Sequence, residues 1–156
     1  MRRINLSLFA FSLLFLASTS SAEPWIAKTI PPYLDGWQEE GGTCLANCDY
    51  SLGVLIKSSQ RLFYLGKKSA QSTDSDPRWQ VLDTMPYPEL PTGYELIYSA
   101  CEHQGTPDPS LIAVVKTADA EWLDQVRFVY KANINKSMFE TMSTEGVRCQ
   151  NIAWGI

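Results

Sequence analysis

The chain has 156 residues, 13 basic against 17 acidic side chains and a formal net charge of −4 at pH 7. That sign is repelled by phosphate backbones and anionic lipid, which argues against nucleic-acid and peripheral membrane binding. A single histidine, His103, rules out intramolecular metal sites of the two-histidine type and leaves a histidine-dependent hydrolase one choice of base.

Residues 1–22 read as an export signal. Arg2 and Arg3 precede an almost wholly apolar run from Leu6 to Ala17, shorter than the ~20 residues a bilayer span needs. Ser20-Ser21-Ala22 put small residues where a signal peptidase reads, so cleavage is expected after Ala22. The expected mature chain has 156 − 22 = 134 residues, with 13 − 2 = 11 basic and 17 acidic groups and a net charge near −6. Its length suits one domain in the periplasm or outside the cell.

Residues 23–50 are expected to form a proline- and aromatic-rich arm that ends in a CxxxC loop. Pro31-Pro32 has no backbone N–H to give and blocks a regular helix or central strand, so the arm is expected to lie on the domain with one helical turn near Tyr33 to Glu39. Glu39-Glu40 followed by Gly41-Gly42 suggests a mobile acidic loop.

Residues 51–156 carry an apolar period close to two, the mark of half-buried strands. Leu52, Val54 and Ile56 alternate, followed by Leu62 and Tyr64 and a shorter candidate from Trp79 to Leu82. The polar stretch from Ser69 to Pro77 reads as a loop, and the prolines between Met85 and Gly93 as an extended connection outside any ladder. Tyr94 to Cys101 is expected as one strand, and Leu111 to Lys116 as a strand buried on both faces. Val126 to Ala132, Met138 to Met142 and Val147 to Asn151 complete the series. The segment 118–125 is expected as a helical turn or a wide connection. The fold class is therefore mainly β, a single antiparallel sandwich or small barrel or meander; the alternative is α+β, with one helix packed on an antiparallel sheet.

An even cysteine count in an exported chain points to disulfides among Cys44, Cys48, Cys101 and Cys149. A dithiol catalyst would have two residues between its cysteines, not three. Adjacent strands bring Cα atoms within disulfide range, which favours Cys101 with Cys149 and leaves Cys44 with Cys48 to pin a tight loop with Asn47 left-handed. The entropic model assigns the first bond roughly 4 kcal/mol and the second roughly 2. No catalytic residue, cofactor or metal is assigned. Cys101 and His103 would share a strand face, but oxidation removes the nucleophile.

Paired carboxylates for a small envelope hydrolase would have to come from Asp35, Glu39, Glu40, Asp119, Glu121 and Asp124. Asp74 and Asp76 lack the glycine and distal glutamate of a calcium loop. Trp25, Tyr33, Trp37, Glu39 and Glu40 are the candidate partner-contact residues, with Tyr87 and Trp154 as further aromatics outside the strand pattern. The expectation is a non-enzymatic exported binding module for a protein or envelope ligand, a basic partner being favoured by charge. An inhibitor of a secreted hydrolase is one form of it, and the carboxylate hydrolase is the alternative.

Overall fold

The structure is a computed structural model that describes residues 24–155. The expected signal segment and its cleavage point lie outside the described residues. Among those residues the fold is all-β and antiparallel, with no helix.

The N-terminal half contributes β1 (Thr29–Ile30), β2 (Gln38–Leu45), β3 (Tyr50–Lys57), β4 (Gln60–Lys68) and β5 (Trp79–Pro86). They form one five-stranded sheet in the order β1-β5-β4-β3-β2. Next come β6 (Tyr94–Tyr98), β7 (Cys101–His103), β8 (Thr106–Pro107) and β9 (Leu111–Lys116). The chain ends with β10 (Trp122–Leu123), β11 (Val126–Asn133), β12 (Met138–Met142) and β13 (Val147–Gln150). These divide into a second sheet, β12-β11-β9-β6, and a third, β10-β13-β7-β8.

The second sheet is the middle layer, because its strands send alternate residues to different cores. Ile112 and Ala132 join Leu52, Val54, Phe63 and Leu65 of the first sheet. Leu111, Ala113, Val115 and Val129 instead meet Cys101, Leu123, Val147 and Cys149 of the third. All five residues from Leu111 to Val115 are therefore fully buried, as a continuous apolar run requires. The outer face of the first sheet carries a third core, in which Leu55, Leu62, Tyr64 and Val81 lie under Trp25 and Ile30. Each such aliphatic side chain contributes roughly 1.5 to 3 kcal/mol by leaving water.

Several expected elements differ in detail. The segment read as an arm supplies both edge strands of the first sheet, β1 and β2, and residues 34–37 form a turn closed by Trp37 N–H on the Leu34 carbonyl (2.9 Å) instead of a helical turn. Met85 and Pro86 still pair with Phe63 and Leu62, so the extended connection begins at Tyr87. The strand expected from Tyr94 to Cys101 breaks at Ser99, whose φ of 64° turns the chain out of the second sheet and into the third.

Of the two forms expected at 118–125, no helical turn forms, and the segment is the wide connection between the paired strands β9 and β11. The Asn151 amide donates to the carbonyls of Ala118 (3.1 Å) and Ala120 (3.0 Å), and its backbone N–H to that of Glu121 (2.8 Å). Carbonyls that a helix would use internally are thus taken by the residue that follows the last strand, and β10 pairs with β13.

Both disulfides follow the expected pairing. Cys101 and Cys149 face each other across β7 and β13 with Cα atoms 4.0 Å apart. The flanking bond from Gln150 N–H to the Ala100 carbonyl (2.8 Å) marks a non-hydrogen-bonded pair, the closer of the two antiparallel arrangements. Cys44 and Cys48 (Cα–Cα 4.6 Å) close the turn between β2 and β3.

Candidate functional site

The site is built on β4. In a strand, alternate residues point to opposite faces, so Leu62 and Tyr64 enter the outer core while Phe63 and Leu65 enter the seam with the second sheet. Tyr64 lies directly opposite Gly53 of β3. Its ring crosses the space that a side chain at Gly53 would fill, which carries its hydroxyl across the sheet toward β2.

There the phenol meets Glu39. Tyr64 Oη donates to Glu39 Oε1 and Tyr33 Oη donates to Oε2, both at 2.7 Å. With the Tyr64 proton committed to Glu39, the Ser51 hydroxyl is the donor in its 3.4 Å contact with Tyr64. Glu40 is the extra residue of a β-bulge, since Glu39 pairs with Leu55 and Gly41 with the adjacent Val54. Its carboxylate accepts from Arg61 Nη2 at 2.6 Å. The acidic pair is thus a strand whose carboxylates are held by two tyrosines and an arginine, in place of the mobile loop that the two glycines suggested.

Arg61 continues the arrangement on its other side. Its guanidinium stands over the Tyr87 ring at 5.5 Å, and Tyr87 stacks on Phe63 with centroids 5.3 Å apart and planes 5° from parallel. Tyr98 meets the same phenylalanine edge-on at 5.5 Å. Between this cluster and Trp37 opens a groove of about 690 Å³ at the end of the first sheet. Trp37, Arg61, Leu62, Pro86 and Tyr87 line it together with Pro24, Trp25 and Pro88, and the exposed Glu89 borders it.

Burial raises the proton affinity of all four phenols around Glu39 and Glu40. For Tyr33, the hydrogen bond and charge of Glu39 add to burial. For Tyr64, burial dominates, the Ser51 bond opposes it, and Glu39 raises it further. In Tyr87, burial is partly offset by Arg61, while in Tyr98 burial is reinforced by Glu40 and Glu39. Tyr33 and Tyr64 are thus held as hydrogen-bond donors to Glu39; a tyrosine nucleophile or base would need the opposite shift.

The candidate residues separate clearly. Tyr33 and Glu39 meet in the network, Glu40 lies on Arg61, and Trp37 forms a groove wall. Trp25 is 1% exposed and packs edge-on against Trp37 at 5.4 Å, so it supports the groove from beneath. Asp35 is exposed beside Lys57, which donates to its backbone carbonyl at 2.9 Å. Asp119, Glu121 and Asp124 are exposed in the connections flanking β10, in a different sheet. None of these six carboxylates lines the groove.

Asp76 pairs with Arg78 at 2.8 Å, and no cluster of three metal-ligating side chains occurs among the described residues. Tyr87 was marked by the prolines around it, but Arg61, Tyr64 and Glu89 carried no such signal. Their roles depend on cross-strand neighbours that lie far away in sequence. No family model matches the chain, and no curated protein or solved structure matches it either.

Proposed function

We propose that this protein is a non-enzymatic binding module of the periplasm or the cell exterior, and that it takes its ligand in the groove beside Trp37, Arg61 and Tyr87. The observation that carries the reading is the make-up of that groove. Three prolines and the rings of Trp37 and Tyr87, backed by Trp25, offer rigid apolar area at low entropic cost, and a guanidinium and an exposed carboxylate give polar definition. Support for the location comes from two disulfides in a chain whose first 22 residues have signal character, and no helix of the described residues is long and apolar enough to cross a membrane.

The carboxylate-hydrolase reading has less support. Glycoside hydrolysis needs two carboxyl groups about 5 to 10 Å apart across the scissile bond, whereas Glu89 is the one carboxylate lining this groove. Both oxygens of Glu39 accept from tyrosines.

Net negative charge favours a basic protein ligand, and a basic secreted hydrolase such as a lysozyme is the specific form proposed here. Titration calorimetry of the protein against a panel of basic lysozymes, at low and physiological salt, tests it. Saturable binding that weakens with salt is expected, and Glu89→Lys, an exposed substitution at the rim, is expected to weaken it about tenfold, the effect of ~1.4 kcal/mol, without changing the melting temperature. Absence of binding at low salt across the panel would overturn the inhibitor reading, and equal binding by Glu89→Lys would overturn the groove as its site.

A further inference from the structure

The two disulfides have opposite surroundings. Cys101 and Cys149 are 4% and 0% exposed inside the core between the second and third sheets. Cys44 and Cys48 are both exposed, at the tip of the β2–β3 hairpin. The turn that they close holds three successive non-glycine residues in the left-handed region: Ala46 (φ 48°), Asn47 (56°) and Cys48 (65°). Asparagine visits that region readily, but alanine and cysteine do so at a cost that the surrounding structure must impose. The cross-link closes the ring around them, and opening it lets the turn relax.

The same disulfide borders a pocket of about 200 Å³ walled by Lys68, Ser72, Thr73, Asp74 and Trp79, where Lys68 pairs with Asp74 at 3.8 Å. That volume admits a small thiol or the tip of a thiol-bearing loop.

We propose that Cys44–Cys48 is a thiol–disulfide exchange site that a dithiol partner reduces and re-forms in the folded protein, and that Cys101–Cys149 is a permanent structural bond. In the reductive direction, a partner thiolate attacks one sulfur of the pair. A mixed disulfide forms, the Cys44–Cys48 bond breaks, and the other cysteine leaves as a thiolate that takes a proton from water. The partner's second thiol, as thiolate, then attacks the mixed disulfide and releases the remaining cysteine. Two electrons and two protons pass to the protein, and the partner leaves as a disulfide. An oxidised dithiol reverses the sequence. Three residues separate Cys44 from Cys48, so the pair is the substrate of such a partner, distinct from the two-residue spacing of dithiol catalysts.

The test is equilibration of the oxidised protein with graded ratios of reduced to oxidised dithiothreitol, followed by alkylation and peptide mass mapping. Cys44 and Cys48 are expected to become half-reduced at a ratio about 100-fold lower than Cys101 and Cys149, with the native circular dichroism retained, and to re-form when oxidised dithiothreitol is restored. Simultaneous reduction of both pairs, earlier reduction of Cys101–Cys149, or loss of the folded signal as Cys44–Cys48 opens would each overturn the proposal. A Cys44→Ser/Cys48→Ser variant separates exchange from stapling. It is expected to fold with Cys101–Cys149 intact, whereas failure to fold would show that the exposed bond is structural and contradict cycling in the folded state.

Discussion

Tyr64 can reach Glu39 because Gly53 has no side chain. A methyl group at Gly53 would lie 2.3 Å from Tyr64 Cε1 and 2.7 Å from its hydroxyl oxygen, so ring and methyl cannot coexist. Gly66 borders the ring from its own strand, where an added Cβ would sit 3.2 Å from Cε2. Gly53→Ala is therefore expected to displace the ring, release Glu39 from one of its two phenols and cost about 1 to 3 kcal/mol by overpacking. Equilibrium denaturation measures it, and a loss below about 0.5 kcal/mol, the scale of an ordinary surface substitution, would show that the ring does not depend on the empty position. In the sequence Gly53 merely interrupts an apolar run. Its purpose lies in Tyr64, eleven positions away, and becomes visible once the β3–β4 register is known.

At the level of elements, strands whose partners lie on both faces were the easiest to read. Leu111 to Val115 are apolar without interruption and form the buried middle strand β9. The β2 strand was not legible, because Gln38-Glu39-Glu40-Gly41-Gly42 has neither alternation nor β-branched residues. Its place comes from a ladder with β3 and from the tyrosine and arginine bonds to its carboxylates.

The entry to β9 is fastened in a way that makes a pH-dependent prediction. Asp108 Oδ2 accepts from Lys131 of β11 at 2.8 Å, and Oδ1 from the Ser110 N–H at 3.0 Å. Burial pushes the Asp108 carboxyl up, but the Lys131 and Ser110 bonds together outweigh it and hold it below the ordinary carboxylate range. The unfolded chain then binds the proton more readily than the native one. The contribution is complete above the unfolded value near 4 and is lost as pH falls through the lower native value. Wild type is expected to lose more stability than Asp108→Asn between pH 5 and pH 2, read from denaturant midpoints. Parallel pH profiles would show that the Asp108 carboxylate does not stabilise the fold.

For the whole molecule, sequence periodicity located most strands but not their distribution over three sheets. Strand alternation says which residues share a face, and it is silent on which sheet that face meets. The change of sheet at Ser99 rests on one left-handed residue, and the cover on the outer face of the first sheet rests on Trp25 and Ile30, in a segment whose prolines concealed its role as a structural layer. That cover also shapes the groove, since Trp37 is fixed by its contact with Trp25 and lines the groove together with Arg61 and Tyr87.

The fold itself holds the aromatic groove, and hydrogen–deuterium exchange of the protein with and without a bound basic lysozyme reads whether a ligand occupies it. Added protection is predicted at Gln60 to Leu62, Tyr87 and Glu89, whose amides belong to segments that line the groove, with the β10 connections unchanged. Protection confined to the exposed carboxylates Asp119, Glu121 and Asp124, or none at the groove in a saturated complex, would contradict binding in the groove.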